Sequence, residues 1–596
     1  MFSLVALWLA FFILLQERIA TPLADQRNDQ YARLFCSLIL AYSALGLLLL
    51  ASAKAGLLQI PIFLVTSLIA ATAVLTSVNS SEIIYQLCQT ISQDVKGLII
   101  GESKKERVVG MLIIVTCLAI IAISIGPINH PDSADYHAGY AAQYLSNGRF
   151  FIDGGLHQGL TGYADFANIA FYQEHTTWLI RTVQILPLIP LILLLDRNGS
   201  YRLFILAFLS APTFVVWATT GKPMFLGDIC IAACFIAWQF NQDTKKFIML
   251  ATAMLIGISF KISALIICIP VTFAMLPSLP QVAKQIYFSR NNLKYILVFT
   301  AALAMLGGIF VFRHEVTGNF LYPLMSKYFT PNNSQSVEFE HFLRGFARDR
   351  FLFPLSLFVP TELRFFTDIL GPCLLVVIAS RLILFKSQVQ PIQVLILVAG
   401  AQLGLLLIFG QGRADYYSAP AALMVCSSKD LATTNLAGIA RRIKLKTTYA
   451  TMLMAQIILF YLLVAMSLFQ TMSAVVSYDQ AMSQWAYGYD ASKQLENYPA
   501  PHLDIALRNT RLYYLKPYID ADRFSKCLLE NTNTSDYSVS DVDLCSTILG
   551  VKSIMTRPGR LSLSTKFTCD DKTVMFAQRN PFKVRRVQVD ICTVNG

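Results

Sequence analysis

Two stretches of the chain, LFCSLILAYSALGLLLLASA (34–53) and VVGMLIIVTCLAIIAISIG (108–126), contain no charged residue. A helix of about 20 apolar residues crosses the hydrocarbon core of a bilayer, and soluble folds rarely need more than one such run. Predominantly apolar runs recur at 2–16, 34–53, 57–77, 108–126, 178–195, 203–219, 228–240, 247–259, 262–276, 295–312, 368–385, 391–410, 416–427 and 448–470. These runs predict an all-α polytopic membrane protein of about fourteen transmembrane helices. Composition agrees: 14% of the 596 residues are charged, against about 25% in soluble domains. Residues 2–16 lack a basic leader and a small-residue cleavage site, so they are expected to stay as a first helix.

The net charge of +12 would suggest nucleic acid in a soluble protein. In this chain the basic residues fill alternate short loops: Arg18, Arg27 and Arg33; Lys104, Lys105 and Arg107; Arg197 and Arg202; Lys245 and Lys246; Lys284, Arg290 and Lys294; Lys386; Arg441, Arg442, Lys444 and Lys446. That alternation sets membrane orientation, with these loops in the cytoplasm, and no nucleic-acid partner is expected. The expected domains are 1–107, N-terminal helices and a cytoplasmic loop; 108–472, a membrane core with large outer loops at 127–177 and 313–367; and 473–596, a small α+β extracytoplasmic domain. In the last, ALRNTRLYYLKPYIDADRFSKCLLE reads as helical and VKSIMTRPGRLSLSTKFTCDDKTVMFAQ as short strands. Cys527, Cys545, Cys569 and Cys592 lie in this tail. An even number of cysteines facing an oxidising compartment suggests one or two disulfides.

Chemistry concentrates where the first outer loop leaves its membrane helix: Pro131-Asp132-Ser133-Ala134-Asp135-Tyr136-His137. A helical turn here would put Asp132 and Asp135 on one face, at i and i+3, with His137 projecting elsewhere. A carboxylate at this place can act as a general base on an acceptor hydroxyl. Asp132 and Asp135 with an imidazole also suit a divalent metal ion, and Asp132 alone suits a helix cap. Glu174 and His175 close the same loop as a second polar pair. Lys222 stands in a short turn before Pro223. Lys261 interrupts the apolar run 247–276, at a hairpin tip where snorkelling would satisfy its charge. The second outer loop holds Thr317-Gly318-Asn319-Phe320-Leu321-Tyr322-Pro323, then Arg344, Arg348, Arg350 and Arg364. Arg413 stands where a late helix re-enters the membrane, and its planar fork suits phosphate.

The order of these signposts resembles the GT-C superfamily of integral membrane glycosyltransferases, and more closely the bacterial branch related to dolichyl-phosphate-mannose–protein mannosyltransferases. The similar features are Asp132-Ser133-Ala134-Asp135-Tyr136-His137 after a membrane helix, Lys222-Pro223, Gly257 with Lys261, Thr317-Gly318-Asn319-Phe320-Leu321-Tyr322-Pro323, and Arg413. They span roughly 108–470. The adjacent acidic pair common in that superfamily is absent, as is the arginine that often follows Tyr-His.

The resemblance implies a GT-C-like bundle that moves a sugar from a polyprenyl-phosphate donor to an extracytoplasmic glycan, lipid or protein acceptor, in one inverting step. It implies Asp132 first, then Asp135, as base or metal ligand, with His137 beside them. Lys222, Lys261 or Arg413 would sit at the donor phosphate, with Tyr322, Glu174 and His175 as further substrate contacts. It also implies a bacterial inner membrane, with the tail in the periplasm or exterior. Two other readings fit many helices with basic residues at depth: a transporter or flippase for a lipid-linked or anionic solute, and a non-catalytic assembly partner that binds through its tail.

Overall fold

The structure, a computed structural model, describes residues 2–20, 27–77, 79–100, 103–152, 157–172, 177–196, 202–240, 244–280, 284, 293–330, 358–359, 369–376, 445–506, 511–513, 518–519, 521–531, 538–559, 561–577 and 584–595. The expected helices at 391–410 and 416–427, and most of 368–385, lie outside these residues.

The apolar runs fold as helices, which satisfy the backbone internally, as a hydrocarbon setting would require. Among the described residues, five helices are long and apolar enough to cross a membrane: Gln30–Lys54, Lys104–Ser124, Trp178–Leu195, Leu293–Thr317 and Tyr449–Val476. Two bent pairs bring the number to seven if each counts as one span: Phe63–Thr76 with Ser80–Ile100, bent by 71°, and Arg202–Leu209 with Pro212–Thr220, bent by 57°. Pro212 starts the second half of the latter pair, as a residue without an N–H can at a helix N-terminus. Gln30–Lys54 and Trp178–Leu195 are mostly buried, whereas only 33% of each apolar stretch in the other three is buried. Their outer sides present Val115, Leu118, Leu297, Val311, Leu462 and Phe469, an apolar exposure that water would penalise and lipid would not.

Ser103 and Glu106 begin the helix Lys104–Ser124 with a reciprocal capping box, and Gly126-Pro127 follows its end. Within the bundle, Gly46 lets the helix Arg27–Lys54 touch the backbone of Tyr163. A Cβ at position 46 would lie 2.0 Å from the Tyr163 carbonyl oxygen. The helix Tyr163–Phe171 is thereby held deep in the core.

One helix departs from the sequence reading. Ser80–Ile100 is helical where a cytoplasmic loop was expected. Glu82, Asp94 and Lys96 break its hydropathy. Its inward stripe of Leu87, Ile91, Val95 and Leu98 packs against the core at helical spacing. Arg202 fastens its end, donating to the carbonyls of Gly97 (2.9 Å), Leu98 (3.1 Å) and Glu106 (3.2 Å) as well as to Asp196. Such a cation satisfies the carbonyls a helix C-terminus leaves open.

The tail is α+β. Its strands are β1 (His502–Asp504), β2 (Tyr518–Ile519), β3 (Ser553–Thr556), β4 (Phe567–Ala577) and β5 (Val584–Val594). They form one sheet in the order β2-β1-β3-β5-β4. β1 runs parallel to β2 and β3, and β5 pairs antiparallel with β3 and β4. Successive residues face opposite sides: Ile554 packs with Leu503, Phe524 and Val542, whereas Met555 packs with Leu495, Val574 and Ile591. Helices Ala521–Asn531 and Val539–Ile548 cover the first side, and Tyr489–Leu495 lies on the second. The four tail cysteines form two disulfides, the upper number expected. Cys527–Cys545 joins the two helices, and Cys569–Cys592 joins residues paired across β4 and β5. Within the stretch expected to be helical before residue 521, the described residues form the short turn Arg511–Tyr513 and β2.

Candidate functional site

The segment after Pro131 turns, but not as an α-helix. Ser133–His137 makes one π-type turn, closed by the Ala138 N–H on the Ser133 carbonyl at 2.9 Å. The turn gives Asp132, Asp135 and His137 different partners, with Asp132 still near enough for its charge to act on Asp135. Asp132 makes no side-chain cap hydrogen bond.

The Asp132 carboxylate instead meets Lys222, with Nζ 2.8 Å from Oδ2. The helix Pro212–Thr220 ends at Gly221, whose φ of +66° favours glycine. That turn delivers Lys222, buried to 2% exposure. Asp132 keeps 16% of its side chain exposed, against 5% for Asp135 and none for His137.

Asp135 lies 3.0 Å from His157 Nδ1 and 3.9 Å from Arg511 Nε. Burial pushes its carboxyl up, but Arg511 and His157 outweigh burial and hold it below the usual carboxylate range. Arg511 comes from the tail. Its guanidinium stacks over the Tyr140 ring at 3.9 Å. Nearby, Tyr513 donates from its hydroxyl to the Ile128 carbonyl at 3.0 Å, and the Tyr487 N–H donates to the Asn129 carbonyl at 3.2 Å. The tail therefore forms one wall of the site.

His137 is enclosed. Its Nδ1 lies 2.7 Å from Asp165 Oδ1, and its Nε2 lies 3.5 Å from Lys261 Nζ. Burial lowers its pKa most. Asp165 opposes the shift, Lys261 and Lys222 add to it, and the imidazole ends at about 4. At neutral pH the ring is uncharged, and the Asp165 contact puts its proton on Nδ1 and its lone pair on Nε2. Asn168 fixes the backbone beneath it, donating to the His137 carbonyl at 2.7 Å while accepting from Tyr42 at 2.7 Å. Tyr136 stacks on His157 at 5.3 Å and lies 5.6 Å from Lys261 Nζ.

Lys261 is therefore not a snorkelling residue at a wet hairpin tip. It is 7% exposed and faces His137 and Tyr136. Tyr322 is fully buried, its ring against the Gly159 turn next to His157. Asn319 shapes that loop, accepting from the Leu321 N–H and donating to the Leu324 carbonyl, both at 2.9 Å. Glu174, His175, Arg344, Arg348, Arg350, Arg364 and Arg413 lie outside the described residues. Among the described residues, no three carboxylate, imidazole or thiol groups converge as metal ligands. A divalent ion between Asp132 and Asp135 would have to displace the cations each already faces.

Sequence reasoning passed over Asp165, His157, Arg511 and Arg181. Asp165 looks like an ordinary first-turn acid and does bond the Gly162 N–H at 2.8 Å. His157 and Arg511 carry no local signal. Arg181 does, being a charge inside an apolar run.

Fold and site together define a helical protein with membrane-length apolar helices, a buried row of acid–base pairs at the end of one of them, and a disulfide-bonded α+β domain over that row. The chain belongs to the DUF1420 N-terminal domain family, whose model matches residues 76–482. That match contains Asp132, Asp135, His137, His157, Asp165, Lys222 and Lys261, and excludes Arg511 and both disulfides. No curated protein and no solved structure matches the chain.

Proposed function

We propose that this protein is a multi-pass membrane glycosyltransferase that moves a sugar from a polyprenyl-phosphate donor to an extracytoplasmic acceptor. The observation that carries the reading is the contrast within one turn: Asp132 keeps access to the outside, while Asp135 and His137 are sealed among fixed partners. A base must come within hydrogen-bond reach of the hydroxyl it deprotonates, and Asp132 is the acid of this turn that a substrate can reach. The acceptor hydroxyl gives its proton to Asp132, and its oxygen bonds the anomeric carbon. The bond from that carbon to the lipid phosphate breaks, its electrons leaving with the phosphate oxygen, and one displacement inverts the centre. Protonating Asp132 removes a counter-charge from beside Lys222, which strengthens the pull of its ammonium on the departing phosphate.

This reading includes about fourteen spans, a bacterial inner membrane and a tail in the periplasm or exterior. The exposed apolar faces support a lipid setting, and the two disulfides support an oxidising one for the tail. Arg413 would join Lys222 and Lys261 at the phosphate. The helix broken by 57° at 209–212 favours a second reading, a transporter or flippase of a lipid-linked or anionic solute.

The deciding experiment offers purified protein a panel of polyprenyl-phosphate sugars, wild type beside Asp132→Asn. Transfer by the wild type that the folded variant loses supports the enzyme. Movement of the lipid-linked sugar across liposomes without transfer supports the transporter.

A further inference from the structure

Arg181 is a buried cation with most of its hydrogen bonds unmade. It is 2% exposed and donates from NH1 to the Thr219 carbonyl at 2.7 Å. Its Nε and NH2 have no hydrogen-bond partner among the described residues. A buried guanidinium without an anion is costly, because the ion has lost water and gained nothing in return. Arg181 lines an open cleft where the helices Lys104–Ser124 and Leu445–Val476 meet the start of the tail.

The walls of the cleft indicate what would satisfy it. Trp485 Nε1, a donor without acceptor capacity, is also buried and unpartnered. Asn129, Gln470 and Thr471 add amide and hydroxyl groups, and among the described residues no carboxylate lines the cleft. Gly126 keeps the space open. A Cβ there would lie 3.1 Å from Arg181 NH2 and 2.4 Å from Thr471 Oγ1. A donor-rich, acid-free pocket around a planar fork suits a tetrahedral oxyanion. Ile123 and Met482 make another wall apolar, which suits an anion carrying a hydrocarbon stem.

We propose that the Arg181 cleft binds the phosphate group of a phosphate ester. The cleft adjoins the Asp132 site through the turn 219–222 and the segment 126–132, yet its occupancy is independent of sugar transfer and is read by binding alone.

The test measures retention of labelled farnesyl phosphate, farnesol and inorganic phosphate by the full-length protein in lipid nanodiscs. Farnesyl phosphate is expected to bind well above farnesol, and Arg181→Gln to weaken it about tenfold or more, the cost of losing a charged hydrogen-bond donor. Arg181→Lys, which keeps charge and loses the fork, falls between. Competition by inorganic phosphate at matching concentration shows that the phosphate group alone is recognised, and its failure to compete shows that the hydrocarbon stem contributes; both sustain the proposal. Farnesyl phosphate bound no better than farnesol, or equally by Arg181→Gln, overturns it. Should Arg181→Gln not fold, Arg181→Lys and Gln470→Leu decide: a drop in either supports the cleft and no drop in both refutes it. Binding is read without sugar transfer, so its failure bears on the Arg181 cleft, and loss of transfer by Asp132→Asn bears on the enzyme reading.

Discussion

Lys222 Nζ and Asp132 Oδ2, ninety residues apart in the chain, sit 2.8 Å from each other at the mouth of the site. Breaking such a pair from one side leaves a poorly solvated charge. Because Asp132 keeps some exposure, Lys222→Met is expected to cost on the order of 2–4 kcal/mol, below the range for fully buried pairs. Asp132→Asn combined with Lys222→Met should recover most of that loss. Thermal unfolding followed by a thiol-reactive dye reads it, since Cys36, Cys230, Cys234 and Cys268 are buried. A double variant no more stable than Lys222→Met would show that the two charges do not depend on each other.

The environment of His137 makes stability depend on pH. Its imidazole titrates at about 4 in the folded chain against 6.5 in the unfolded one. Between those values the unfolded state binds the extra proton, so stability is lost as pH falls through that window. The loss is on the order of 3 kcal/mol once both states are protonated. Asp135 behaves oppositely in origin: its lowered pKa stabilises the fold above its unfolded value of 3.8 and is lost only as pH falls below that value. Unfolding midpoints measured from pH 7 to pH 4 should therefore fall more steeply for wild type than for His137→Gln. Parallel curves would assign the acid sensitivity elsewhere.

Much of this architecture can be read in the sequence, because the charge-free runs leave the backbone no alternative to helix. The helix Ser80–Ile100 escaped because Glu82, Asp94 and Lys96 mask a stripe visible only at a period of 3.6. Asp132 and His137 are legible since both lie in one short polar segment at a helix end. Their partners are not. Lys261 reads as a cheap snorkelling residue until the fold turns it onto His137, and nothing local marks His157 or Arg511. The lesson from Arg181 differs: a lone charge in an apolar run was a readable signal of a buried demand.

Arg511 ties the tail to the site through Asp135 and the Tyr140 ring. Its removal is expected to free the segment carrying Asp135 rather than unfold the sheet, whose cores lie on β1, β3, β4 and β5. In Arg511→Ala, amide exchange in the described residues 133–147 should accelerate about tenfold, as expected when local opening loses about 1.4 kcal/mol of protection, with strands β3 and β5 unchanged. Equal acceleration in the strands would mean that Arg511 supports the domain as a whole and not its docking.

The tail's disulfides give the orientation a direct test. Cys527–Cys545 and Cys569–Cys592 close spans of 18 and 23 residues, and loops of that length stabilise a fold by about 3 kcal/mol each in the chain-entropy model. Bonds of this kind persist on an oxidising face of a membrane and not in a reducing cytoplasm. In cells lysed directly into denaturant with a maleimide of high mass, the four tail cysteines should fail to shift without prior reduction, and all four should shift after it. The buried cysteines Cys36, Cys230, Cys234, Cys268 and Cys373 should react only on denaturation, whether or not reductant is present. Double substitution of Cys569 and Cys592 by serine should lower the unfolding midpoint of the tail more than that of the bundle, because the pair bridges β4 to β5 inside the sheet alone. Free thiols at all four tail positions in native cells would place the tail in the cytoplasm. The Asp132 turn, which Tyr513 and Arg511 bind directly, would then face the cytoplasm too, and a donor presented from the other side could not reach it.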